Sequence, residues 1–178
     1  MRIPVLILAV LLSSDALAHS FGSPICEINV LPLVPMSPTL SEPPVSGWYL
    51  EPERLSYVPG VALRVRVRHL EATRRLRGIQ LWAKSGPTVG AGSFALPSAL
   101  FVRPPTFANC GQWSITHGSN SPKTQEQLQF QWTPPTAGAA VMRAFLIEDC
   151  ASPGGCRAHQ GLTQFVLIQE ALFVDGFE

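Results

Sequence analysis

Charge is scarce in this chain. Only 14% of its 178 residues are charged, against 46% hydrophobic, and the formal net charge is +1. So low a charge argues against a coiled coil, and the near-neutral balance gives no bias toward nucleic acid or anionic membranes. Helical periodicity is missing too. The 17 prolines would interrupt most long helices, and no apolar run repeats at 3.6 residues. No internal repeat of fixed period occurs, and after residue 18 nothing approaches the roughly 20 apolar residues of a membrane-spanning helix. There is no Gly-x-Ser-x-Gly elbow, phosphate-binding glycine loop or His-Glu-x-x-His helix, and the scattered carboxylates offer no acid/base pair. Asn120-Ser121 is followed by Pro122, so no N-glycosylation acceptor is available.

What is present begins with an export signal. Arg2 supplies a positive start, Ile3 to Leu12 an apolar stretch, and Ala16-Leu17-Ala18 a small-x-small cleavage site, so residues 1–18 read as a signal peptide. A mature chain would begin at His19 and be secreted or periplasmic, with no transmembrane segment left. In an oxidising compartment four cysteines form two disulfides, with three possible pairings. The turn sequence Ala-Ser-Pro-Gly-Gly between Cys150 and Cys156 favours pairing those two, which leaves Cys26 with Cys110.

Residues 19–45 are Pro-rich and form an extended lead-in tied down through Cys26. Beyond them the period is two. In residues 61–68 (VALRVRVR) apolar side chains take the odd positions and Arg64, Arg66 and Arg68 the even ones. Ile79, Leu81 and Ala83 form an apolar face in residues 78–84, and residues 127–132 (QLQFQW) alternate without a fault. These are half-buried strands. Residues 139–148 are apolar on both faces except at Arg143, as in a central strand, and residues 163–169 form a last one. Roughly six to eight short strands punctuated by Gly and Pro describe an all-β chain, an antiparallel β-sandwich over residues 46–170.

The stretch from Pro43 to Glu148 resembles the Reeler domain, the N-terminal module of reelin. The matching pieces are Tyr57-x-Pro59-Gly60, Arg77-Gly78-Ile79-x-Leu81-x-Ala83, Gly92-Ser93-Phe94, Cys110, Thr116-His117 with Lys123, and Phe130-x-Trp132-x-Pro134. The resemblance implies an immunoglobulin-like sandwich and a Cys26–Cys110 bridge, to which the Cys150/Cys156 pair is an addition. It also implies non-catalytic work in adhesion, matrix recognition or binding of microbial surfaces, with no catalytic residues and no cofactor to carry over. The tail, residues 171–178, resembles the Asp-Gly-Phe-Glu endings of exported proteins of certain bacteria and, with the export signal and the arginine-heavy basic content, points to a bacterial source; the alternative is a frayed extension after the last strand.

The strongest local signal is a basic run. Arg64, Arg66, Arg68, Arg74, Arg75, Arg77 and Lys84 place seven of the thirteen basic residues within positions 64–84, opposed there only by Glu71. Three guanidinium groups about 7 Å apart on one strand face can take sulfate, phosphate or carboxylate in bidentate fashion. The expected ligand is a polyanionic polysaccharide or an extracellular protein partner. The bland alternative is a solvated face whose charges keep the sheet from associating. Trp132 shares a face with Leu128 and Phe130 and belongs to the core, whereas Trp82, between Gln80 and Lys84, is the aromatic expected to be exposed and to extend the basic patch. His117 and Lys123 flank a Gly/Ser/Asn loop, where the expectation is hydrogen bonding to loop backbone. An enzymatic alternative is a copper-binding histidine brace formed by the processed amine of His19 with His69, His117 or His159.

Overall fold

The computed structural model describes residues 22–23, 26–27, 40–41, 47–104, 110–136, 138–149, 151 and 158–169, with 40–41 and 158–169 described as backbone. The signal-like segment, His19, Cys150, Cys156 and the 171–178 tail lie outside the described residues. The described residues form eleven strands in two sheets: β1 (Leu40–Ser41), β2 (Trp48–Pro52), β3 (Ser56–Tyr57), β4 (Leu63–His69), β5 (Leu76–Lys84), β6 (Ser93–Phe94), β7 (Phe101–Val102), β8 (Ser114–His117), β9 (Gln129–Thr133), β10 (Ala139–Glu148) and β11 (Ala158–Gln169).

One sheet has the order β1-β11-β10-β5-β8-β7, with β3 also paired to β11, and the other the order β2-β4-β9-β6. Pairing is antiparallel except where β1 and β3 lie parallel to β11. Period-two alternation builds the sandwich core. Leu63, Val65 and Val67 of β4 and Phe130 and Trp132 of β9 meet Ile79, Leu81 and Ala83 of β5 and Ala140, Met142, Ala144 and Leu146 of β10, all buried in one cluster. β10 lies between β11 and β5, the central place its two apolar faces call for. Its outward residue Phe145 joins Trp82, Trp113 and Ile147 in a second cluster on the far face of the same sheet.

Three local features depart from the sequence expectation. Residues 125–127 form a 3₁₀ turn in which Thr124 and Gln127 make a capping box, so the strand expected from 127 starts at Gln129. Ser114–His117 is a wholly buried strand rather than a loop margin. Its polar side chains are tolerated because they are bonded: Ser114 Oγ donates to the Cys26 carbonyl at 2.7 Å and Thr116 Oγ1 to the Ile79 carbonyl at 2.9 Å. Third, Trp48 and Leu50 point inward from β2, a strand that pairs with β4 from Val65 to His69.

Cys26 is bonded to Cys110, with Cα atoms 4.9 Å apart. The bridge fastens the N-terminal segment over β5 and β8. Gln80 Nε2 donates to the Cys26 carbonyl at 3.0 Å, and Ser23 N donates to Thr116 Oγ1 at 3.0 Å.

Candidate functional site

Strand β4 turns Leu63, Val65 and Val67 inward, and the same alternation turns Arg64, Arg66 and Arg68 to the outer face of the four-stranded sheet, where they are half-buried. Cross-strand register sets their neighbours: Gln131 beside Arg64, Glu51 and Gln129 on either side of Arg66, Tyr49 beside Arg68. Arg66 Nε lies 2.8 Å from Glu51 Oε2. Glu53 Oε2 accepts from the Arg64 backbone N–H at 3.1 Å. Glu126 stays ionised below the usual carboxylate range, mainly through its own backbone N–H and the Thr124 side chain, with the Arg68 charge adding to the effect. The Nε atoms of Arg64 and Arg68 make no hydrogen bond among the described residues. Both of these Nε atoms are buried, so the outcome is an Arg/Gln/Tyr face into which the guanidinium groups are half-sunk.

The remaining basic residues do not join that row. Arg74, in the loop after β4, binds Glu71 at 3.0 Å and the buried Glu148 at 2.8 Å. Arg77 Nε lies 2.6 Å from Asp149 Oδ1, and Lys84 Nζ 2.7 Å from Glu27 Oε2. Arg75 is exposed. Arg77 and Lys84 sit on β5, in the opposite sheet and roughly 23 Å apart along the strand. The single patch expected from the sequence is therefore two separate sets, and Glu71 is one acid among several that oppose it. Glu27, Glu51, Glu53, Glu126, Glu148 and Asp149 are all remote in sequence from the bases they face, so spacing carried no sign of them.

Trp82 is a correction. It is 1% exposed, packed with Phe145, Trp113 and Ile147, and does not extend a surface patch. The outer side of β5 is covered because the strand lies inside its sheet and the Cys26 segment crosses it.

His117 and Lys123 serve the scaffold. His117 is 7% exposed, and its Nδ1 lies 3.2 Å from both the Ile79 N–H and the Ile79 carbonyl. Lys123 is wholly buried and donates to the carbonyls of Arg77, Ser119 and Ser121 at 2.9, 2.7 and 2.9 Å. Burial lowers its pKa to about 8. His69 Nδ1 accepts from the Glu71 N–H at 2.9 Å, with the ring edge-on to Trp48. Neither His69 nor His117 presents Nδ1 to a metal, and no group of three or more His, Cys, Asp or Glu able to hold one occurs among the described residues. Of His159 only the backbone is described, and His19 is outside the described residues.

The model of the Reeler domain family matches residues 32–150. The chain belongs to the Reeler family. Two crystal structures of the human F-spondin reeler domain share this fold. The first is 20% identical over 74% of this chain and 94% of that one, with a TM-score of 0.54. The second is 18% identical over 74% and 95%, with a TM-score of 0.52. The Reelin-N domain of F-spondin matches at 20% identity over 75% of this chain and 92% of that one, with a TM-score of 0.54. No curated protein matches the chain by sequence. In this Reeler domain the residues that carry the family likeness are framework. Tyr57 donates its hydroxyl to the Gly138 carbonyl and meets Trp132 edge-on. Phe94 and Phe130 fill the core, Cys110 forms the bridge, and Thr116, His117 and Lys123 hold strand and loop together. Arg64, Arg66 and Arg68 are not among those residues.

Proposed function

We propose that this Reeler domain is a non-catalytic binding module working outside the cytoplasm, and that the outer face of its four-stranded sheet recognises an anionic glycan. The carrying observation is the row Arg64, Arg66, Arg68 with Tyr49, Gln129 and Gln131 beside it. Guanidinium groups take carboxylate or sulfate in a forked geometry, and amide and phenol groups suit sugar hydroxyls. Glu51, Glu53 and Glu126 temper the positive field, so binding is weak per site and falls steeply with salt. The export-like residues 1–18 and the Cys26–Cys110 disulfide support an extracytoplasmic setting.

The test replaces Arg64, Arg66 and Arg68 together with Gln and compares elution from a sulfated-polysaccharide column. The variant should leave the column at lower salt. Elution at the wild-type position would overturn the site, and a partner from the exported fraction that stays bound at high salt would put a protein in the glycan's place.

A further inference from the structure

On the opposite face of the molecule, where β5 ends and β10 begins, lies a cavity of about 500 Å³. It is lined by Trp82 and Lys84 of β5, Val141 and Arg143 of β10, the turn at 85–87, and Glu27. The arginine row, on the other sheet, has no part in it. Lys84 and Glu27 are mostly withdrawn from water, at 13% and 20% side-chain exposure. Lys84 Nζ reaches both carboxylate oxygens of Glu27, at 2.8 and 2.7 Å, and also the Pro87 carbonyl.

A cation so far withdrawn from water requires an anion close by. No strand neighbour of Lys84 in the sheet supplies it: Val141 stands opposite on β10 and Gly90 across the turn. The anion comes from the N-terminal segment, held in place next door by the Cys26–Cys110 bridge. Glu27 thus presents a carboxylate at the edge of an open cavity that has apolar walls and a second cation, Arg143, in its lining.

We propose that this cavity is a second binding site, for a small carboxylate with a ring-shaped body. Sugar acids are the nearest chemical class, whether free or as the terminal residue of an acidic glycan. The ligand carboxylate exchanges with that of Glu27 on Lys84, and the ring lies against Val141 and Pro87, next to the covered Trp82. Glu27 is then an internal competitor, and removing its charge exposes a cation in want of a partner.

The experiment is amide and indole NMR of the full secreted chain titrated with glucuronate, a short oligouronide and glucose, with Trp82→Phe to assign the indole signal. Glucuronate should shift the Trp82 signal with a Kd on the order of 1 mM. Glu27→Gln should tighten binding about tenfold, equivalent to roughly 1.4 kcal/mol. Lys84→Gln should abolish it and Lys84→Arg should keep it. The well-dispersed spectrum of each variant reports that it has folded. Saturation by glucuronate alone assigns a free sugar acid; response to the oligouronide alone assigns a chain end. No shift in either wild type or Glu27→Gln, equal shifts with glucose, or unchanged binding by Lys84→Gln would overturn the site.

Discussion

Lys123 holds a positive charge where no water reaches it, and the cost is met by three carbonyl groups that would otherwise lack a donor. Replacing it with Met keeps the aliphatic stem but strands those acceptors, and should cost about 2–4 kcal/mol in urea unfolding. The charge also predicts a pH effect. The folded pKa of about 8 lies below the ordinary value of 10.5, so between these values the unfolded chain binds more protons and stability rises with pH. Wild type should gain about 2 kcal/mol between pH 7 and pH 9.5, and Lys123→Met should lack that rise. An equal slope in both proteins would show that the ammonium is not desolvated. Trp82 teaches a related lesson: the side chain that alternation turns away from the core is still buried, because a second layer covers that face.

Strands β4 and β5 show how one sequence pattern meets two environments. Both alternate, but β4 keeps its even residues half-buried, while β5 buries residues 78–83 on both faces. β5 lies between β10 and β8, under the Cys26 segment, whereas among the described residues the outer side of β4 meets the polar side chains of its own sheet neighbours. The short edge strand β6 depends on a backbone device. Gly92, just before it, has φ +64°, and a Cβ there would come within 2.3 Å of the Thr133 carbonyl and 2.8 Å of Trp132 Nε1. Gly92→Ala should therefore destabilise by roughly 2–4 kcal/mol. Gly60 has φ +73° with nothing within 4 Å, so Gly60→Ala should bear only the conformational cost, about 1 kcal/mol. Thermal unfolding of the two variants side by side checks the difference; equal losses would show that the contact with β9 is relieved by a small backbone shift.

Across the whole molecule, the Cys26–Cys110 bridge joins residues 84 apart in sequence and fixes the N-terminal segment to the face opposite the arginine row. A loop of that length predicts a loss on the order of 4–5 kcal/mol when both cysteines are changed to Ser. Chemical unfolding of the double variant measures it, and a loss below about 1 kcal/mol would mean that the segment is held by its hydrogen bonds and the Glu27–Lys84 pair instead. The family likeness resides in framework positions such as Tyr57, Phe94, Phe130 and Trp132, so kinship explains the sandwich and leaves the ligand to the surfaces. Those surfaces lie on opposite sheets, one carrying a row of half-buried arginines and the other a cavity already holding its own carboxylate.

The sequence by itself determined the all-β class, the inward faces of β4, β5 and β9 and the central place of β10, while the partner of Cys26 was one of three possible pairings until the structure decided it. The class, the faces and the place of β10 depend on alternation or turn chemistry, which are local or nearly so. It also located the arginine row, because three even positions on one strand must share a face. Only the tertiary structure decided what surrounds that row. Glu51 and Gln129 flank Arg66 by sheet register, and Glu148 and Asp149 reach Arg74 and Arg77 across tens of residues. Electrostatic partners are chosen by distance in space, and burial by what covers a face. For that reason the apparent excess of positive charge was divided and mostly neutralised, Trp82 went under cover, and Glu27 met Lys84 across 57 residues of chain.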